Sequence, residues 1–81
     1  MNVETLSADV TVDCLGKLCP VPVIETSKAV RRMEAGTILL LIADDPGSDP
    51  DIHAWCDETG NTLLRMDQEG KVFRFWIHHQ G

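Results

Sequence analysis

Long hydrophobic runs are missing from this sequence. The longest unbroken apolar stretch, Ile38 to Ala43, is far short of the roughly 20 residues that a membrane-spanning helix needs. The first residues also lack the basic segment followed by an apolar segment that marks a secretory signal. Positive charge is scarce: 7 Lys and Arg stand against 13 Asp and Glu, for a net charge of -6. That balance disfavours non-specific attraction to phosphate backbones and to anionic membranes. Cysteine occurs in an odd number, three, at positions 14, 19 and 56, which argues against a secreted disulfide framework. There is no internal repeat, low-complexity tract or linker on which to divide the chain. The expectation is a single domain over residues 1–81, near the lower limit of what one core can stabilise, with residues 1–8 as a loosely ordered N-terminal extension. It is read as cytoplasmic, with other proteins rather than nucleic acid or membrane as partners.

What is present is concentrated at Cys19-Pro20-Val21-Pro22. Proline is tolerated in the first helical turn, where its missing N–H would have had no intrahelical partner, so the tetrapeptide predicts a helix start with Cys19 at the cap. Free cysteine is usually a small buried hydrophobe, but helix caps are preferentially Ser, Thr, Asp or Asn. A thiol at the positive end of a helix is expected to have a lowered pKa and to react as thiolate. Under this reading the backbone donors nearest the sulfur are those of Val21 and Val23.

Hydrophobic periodicity orders the rest. Val10 to Asp13 alternates as a short strand and runs into Leu15-Gly16. Pro20 to about Ala35 is helical, with Val23, Thr26, Val30 and Met33 on one face and Gly36 as the stop. Lys28, Arg31 and Arg32 fall in its second half and read as a solvated face that complements the helix dipole. Thr37 to Ala43 is an apolar run that suits an internal strand buried on both faces. Asp49-Pro50 signals a second helix, with Ile52, Trp55 and Cys56 facing the core and Gly60 ending it. Asn61 to Gln68 and Lys71 to His79 form a hairpin through Glu69-Gly70. In the last strand Phe73, Phe75 and Ile77 alternate with Arg74, Trp76 and His78, which makes Trp76 a candidate exposed aromatic.

The order β-α-β-α-β-β predicts an α/β (α+β) two-layer sandwich: a mixed four-stranded sheet with two helices on one face and the other face open. Reactive groups in such sheets gather beyond the carboxyl ends of the parallel strands. Both the Cys14 to Cys19 loop and the Asp44 to Asp49 loop leave from that edge.

The stretch from Asp13 to Pro22, followed by a basic helix, Gly36, an apolar strand and Ala43-Asp44-Asp45-Pro46, resembles the TusA (SirA-like) sulfur carrier family across about residues 9 to 79. The resemblance implies a fold like the C-terminal domain of translation initiation factor three. It also implies that Cys19 accepts sulfane sulfur as a persulfide and relays it to a thiol of another protein. Such a sulfurtransferase-type carrier acts as a protein co-substrate and needs no metal or organic cofactor. The implied donor is a cysteine desulfurase or a rhodanese-like protein. The implied acceptor is a DsrE-like or other thiol protein, on routes to thiolated tRNA, cofactor synthesis or sulfur metabolism.

Around Cys19, Pro20 and Pro22 stiffen the helix start. Asp13 is suited to fixing the loop by accepting backbone hydrogen bonds, and Gly16 to a left-handed conformation. Asp44 and Asp45 read first as turn-forming carboxylates, and as anions near Cys19 they would oppose thiolate formation. Ile24, off the core face, fits an apolar docking rim. Cys14 has two readings, a small side chain at a strand end or a second thiol that resolves the persulfide as a Cys14–Cys19 disulfide. The second defines the alternative function, a thiol-disulfide redox module, although the spacing is not Cys-x-x-Cys. An RNA-binding module rests on fold analogy alone and meets the acidic charge. A metal site from Cys14, Cys19 and His78 or His79 fits no familiar zinc spacing, and carboxylates Asp44, Asp45, Asp49 and Asp51 form a weak cation-site pattern. The two histidines read as solvent-exposed strand residues, and Cys56 as an inert core thiol.

Overall fold

A computed structural model describes residues 7–81, so most of the expected N-terminal extension, residues 1–6, lies outside the described residues. The elements are β1 (Val10–Cys14), α1 (Val21–Val30), β2 (Ile38–Ala43), α2 (Ser48–Thr59), β3 (Thr62–Glu69) and β4 (Val72–His78). The strands form one mixed sheet in the order β1-β2-β4-β3, with β1 and β2 parallel and the other pairs antiparallel. β4 returns from the β3 hairpin into the middle of the sheet. The crossover through α2 therefore joins β2 to a strand two places away.

Strand alternation builds the core. Val10, Val12 and Cys14 of β1 lie in register with Leu39, Leu41 and Ala43 of β2, and these with Ile77, Phe75 and Phe73 of β4. Leu39, Leu41, Ala43, Phe75 and Ile77 are wholly inaccessible, and Val30 of α1 with Ile52 and Cys56 of α2 closes the cluster from the helix side. β2 is internal, as its apolar run suggested, but it is not buried on both faces: its residues alternate between buried and half-buried. Ile38, Leu40 and Ile42 point to the open face, where no second layer of the described residues covers them. Trp76 shares that face and is half-buried rather than exposed, because the Arg65 guanidinium sits 5.4 Å over its ring. Arg74 on the same face bonds Asp67 at 2.7 Å and Glu69 at 3.2 Å.

Several boundaries shift for local reasons. α1 ends at Val30, not near Ala35, because the Arg32 and Met33 N–H groups donate to carbonyls three residues back and tighten the chain into turns. Gly36, at φ +89°, then redirects it and donates its N–H to the His79 carbonyl at 2.8 Å. Arg31 and Arg32 thus lie beyond the helix, and Lys28 is the cation of its last turn. α2 starts one residue before the expected Asp49 cap, with Gly47 in the cap position; the Asp49 carboxylate instead meets His53 at 2.9 Å. The hairpin reverses at Gly70-Lys71 rather than Glu69-Gly70, with Gly70 at φ +62°. A register shift between Leu63 and Arg65 leaves Leu64 exposed.

Two buried hydroxyls, those of Thr26 in α1 and Ser48 in α2, have no hydrogen-bond partner. An unpaired buried hydroxyl costs more than an apolar group of the same shape, and Val differs little from Thr in helix propensity. Thr26→Val is therefore expected to stabilise the fold by about 1 kcal/mol, seen as a rise of roughly 4–8 °C in Tm. A lowered Tm would show that the hydroxyl is used. Burial also pushes the Cys56 thiol up to about 11. The unfolded chain loses this proton first, so the thiol's stabilising effect is fully present below the ordinary cysteine range and declines as pH rises toward 11. Denaturant titrations should show that alkaline decline shrinking in Cys56→Ala.

Candidate functional site

The site lies where the parallel strands β1 and β2 end side by side. Cys14 is the last residue of β1 and pairs with Ala43, the last of β2, so the loop 15–20 and the loop 44–47 leave the sheet as neighbours. Carboxylates from the second loop hold the backbone of the first. Asp44 accepts the Gly16 N–H with both oxygens, at 3.0 and 3.1 Å. Asp45 Oδ2 accepts the N–H of Cys19 at 3.2 Å and that of Gly47 at 3.1 Å. Asp13 Oδ1 accepts the Leu15 N–H at 3.0 Å within the Cys loop. Gly16 has φ +78° with open space where a Cβ would stand, so backbone conformation and not crowding favours glycine there.

Cys19 differs from its expected setting. α1 begins at Val21 with Pro20 as its cap, which places the thiol one residue outside the helix. The Val21 N–H, expected near the sulfur, donates instead to the Leu18 carbonyl at 2.9 Å. The Cys19–Pro20 peptide bond is cis. Pro20 is exposed, whereas Pro22 is fully buried and belongs to the inner face of α1 with Thr26 and Val30.

The thiol meets α2 rather than α1. A Cβ at Gly47 would stand 3.1 Å from Cys19 Cβ and 3.4 Å from its Sγ, and the Cys19 Sγ donates a hydrogen bond to Asp51 Oδ2. The lowered pKa expected of a helix-capping thiol is accordingly not found. Cys19 is held above its ordinary range, first by the hydrogen bond to Asp51, then by partial desolvation, then by the negative charges of Asp51 and Asp45. The positive end of α2 is near, but acidic residues Asp49 and Asp51 occupy its first turn.

Cys19 is the exposed thiol of the three free cysteines, Cys14 and Cys56 being buried. Cys14 is turned into the core at 1% exposure, and its pKa is raised, mainly by burial and next by the charge of Glu25. His78 pairs with Ile38 at the start of β2, so both C-terminal histidines sit at the sheet edge opposite the thiol. They are half-buried rather than solvent-exposed: His79 Nδ1 is 3.1 Å from Asn61 Oδ1, and His78 Nδ1 is 2.9 Å from Gln80 Nε2. Among the described residues no group of three or more His, Cys, Asp or Glu is disposed to hold a metal ion, and no helix is long and apolar enough to cross a membrane. Leu15, Leu18 and Ile24, at 47, 71 and 45% exposure, are large apolar side chains in the Cys loop and the first turn of α1.

Sequence reading missed Asp51 and Gly47 as parts of this site. Asp51 was grouped with loop carboxylates, and only its place in the first turn after a loop sharing the thiol's sheet edge hinted at the contact.

Known proteins resemble this one over most of its length. The sequence model of the family described as sulfurtransferase TusA matches residues 10–79. A protein of Aquifex aeolicus named "Putative sulfur carrier protein" is 41% identical over 89% of this chain, which spans 37% of that protein's length. YrkI and YrkF of Bacillus subtilis carry the same description, with 38% identity over 89% of this chain and 33% over 94%; the chain spans 96% of YrkI and 41% of YrkF. The crystal structure of a SirA-like protein from Desulfitobacterium hafniense superposes with a TM-score of 0.77 at 26% identity, covering 89% of this chain and 99% of that one. With a matching fold and a match from β1 through the end of β4, the chain belongs to the TusA sulfurtransferase family.

Proposed function

We propose that this sulfur carrier accepts sulfane sulfur on Cys19 as a persulfide and passes the terminal sulfur to a thiol of another protein. The observation that carries this reading is the contrast among the cysteines: Cys19 is exposed on a loop tied down by Asp44 and Asp45, while Cys14 and Cys56 are sealed in the core. A carrier needs one accessible sulfur and no second thiol that would discharge it as a disulfide. The donor is a cysteine desulfurase or rhodanese-like protein and the acceptor a DsrE-like or other thiol protein. Leu15, Leu18 and Ile24 give such partners apolar contact beside the sulfur.

Incubation with a cysteine desulfurase and cysteine should add about 32 Da, the mass of one sulfur, removable by reductant. The gain should vanish in Cys19→Ser and persist in Cys14→Ser. A loss of two protons in place of the gain would mean disulfide chemistry between Cys14 and Cys19.

Gly47 supplies a second test. Its φ of -65° suits any residue, but an added Cβ would come 2.9 Å from Asp45 Oδ2 and 3.1 Å from Cys19 Cβ. Gly47→Ala should thus fold and yet shift the carboxylate that holds the Cys19 N–H. Sulfur loading is expected to slow about tenfold or more, in line with the cost of small misplacements at reacting centres, with circular dichroism unchanged. Loading at the wild-type rate would mean that the loop need not be held in this position.

A further inference from the structure

From the hydrogen bond between Cys19 Sγ and Asp51 Oδ2 we infer that Asp51 is the proton acceptor and donor of sulfur transfer, taking the Cys19 proton as the thiol is loaded and giving one to the Cys19 sulfur as the terminal sulfur leaves. This rests on persulfide carriage by Cys19.

The geometry has three parts. Asp51 comes from the first turn of α2, where its N–H donates to the Gly47 carbonyl at 3.2 Å; the carboxylate is thus carried by a helix rather than by a loop. The sulfur lies against Gly47 at the same helix end, so on that side it meets the α2 backbone. The other carboxylate near the sulfur, that of Asp45, is already engaged by the N–H groups of Cys19 and Gly47. Asp51 is therefore the group with an oxygen on the thiol itself.

The surrounding charges leave this part to a carboxylate. On the thiol act Asp51 of α2 and Asp45 of the preceding loop, both anionic. Lys17 of the Cys loop and Glu25 of α1 act on Cys14, and Glu25 is paired with Lys28 at 3.6 Å. His53, the one imidazole of α2, is engaged by Asp49 at 2.9 Å. A thiol held in its protonated form needs a base at the moment of attack, and the carboxylate in contact with it is within the reach that general-base catalysis requires.

The step balances without oxidant or reductant. Cys19 Sγ forms a bond to the terminal sulfur of the donor's cysteine persulfide, and its proton passes to Asp51. The donor's S–S bond breaks and its electron pair leaves on the donor cysteine, which departs as thiolate and takes up a proton from solvent or from Asp51. The terminal sulfur keeps its own proton, so thiol plus persulfide gives persulfide plus thiol. Loading also removes the hydrogen that bound the sulfur to α2. Ionisation of the new terminal S–H would then set like charges together, favouring a terminal sulfur turned away from Asp51 toward an acceptor. Discharge reverses these steps: the acceptor thiol attacks the terminal sulfur, its proton passes to Asp51, and Asp51 gives a proton to the departing Cys19 sulfur, so persulfide plus thiol again gives thiol plus persulfide.

The test compares wild type, Asp51→Asn and Asp49→Asn, the last removing an equal charge from the same turn. Single-turnover loading from a persulfide-charged cysteine desulfurase is followed by mass spectrometry across neutral pH. With a carboxylate base the protonated thiol is competent, whereas Asp51→Asn reacts only through its thiolate fraction. The ratio of the Asp51→Asn rate to the wild-type rate, in which the donor's own pH dependence cancels, should fall by about tenfold for each pH unit below the variant's thiol midpoint. Asp49→Asn should keep a flat ratio. Iodoacetamide alkylation of Cys19 should show its midpoint moved to lower pH in Asp51→Asn and unmoved in Asp49→Asn. A loading ratio independent of pH in Asp51→Asn, or an unmoved alkylation midpoint, would overturn the role of Asp51. Failure of the wild type to take up sulfur would instead overturn persulfide carriage.

Discussion

The reactive edge depends on hydrogen bonds from one loop's carboxylates to another loop's backbone. β1 and β2 end in register, but that alone leaves the Cys loop free to move as a unit. Asp44 holds the loop at Gly16 and Asp45 holds it at Cys19, spanning the turn from both ends. Bonds from a charged acceptor to backbone N–H groups are among the stronger hydrogen bonds in proteins. They also give unpaired loop donors a partner without adding a side chain that would compete for the sulfur. Pro22, buried at the start of α1, anchors the same loop from the helix side. The thiol is thus exposed on a backbone with little freedom, the arrangement that lets an exposed atom be presented at a reproducible position.

Carboxylates that fix the loop also set its charge. A helix N-terminus would by itself favour a thiolate, and the end of α2 adjoins the sulfur. Asp45 and Asp51 set negative charge beside the sulfur, and Asp51 accepts the thiol hydrogen. The direct hydrogen bond and the nearby charges outweigh the helix end, because they act at contact distance whereas the dipole is spread over several donors. Structural and electrostatic roles meet in Asp45, which accepts the Cys19 N–H and whose charge also raises the pKa of the thiol.

Much of this was legible in the sequence because it followed from periodicity and turn chemistry. The alternation in β4, the glycine after α2 and the apolar run of β2 led to the element order, the sheet and the edge on which Cys19 stands. The setting of the thiol was not legible for two reasons. Proline pre-sets φ but does not say which residue is the cap; Cys19-Pro20-Val21-Pro22 reads equally as a helix from Pro20 or from Val21, and one position decides whether the sulfur faces α1 or leaves it. Asp51 lies 32 residues from Cys19, and no local pattern reports a pairing between a loop and the start of a distant helix across a sheet edge. The burial of β2 failed for a related reason. Its unbroken apolar run is compatible with two covered faces, but both helices lie on one side, and Arg65, Arg74 and Trp76 give the other face only partial cover.

A protonated resting thiol changes how the carrier ought to be understood. A low-pKa thiolate would react readily with any electrophile and would also be a good leaving group, quick to give up its sulfur. Raising the pKa acts against both: the free thiol is less open to stray alkylation or oxidation, and under the proposed persulfide carriage the Cys19 sulfur would be a poorer leaving group unless it receives a proton, the part proposed for Asp51. The thiolate, once formed, is the more nucleophilic for its higher pKa. Selectivity then lies in the encounter. Under the proposed relay, a partner that docks over Leu15, Leu18 and Ile24 would exclude water from the contact between Cys19 and Asp51, and a proton shared between sulfur and carboxylate moves with less solvent reorganisation when water is gone. A small thiol in solution cannot exclude water in that way, and under the proposed relay this difference would favour transfer to a docked protein over loss to thiols in solution.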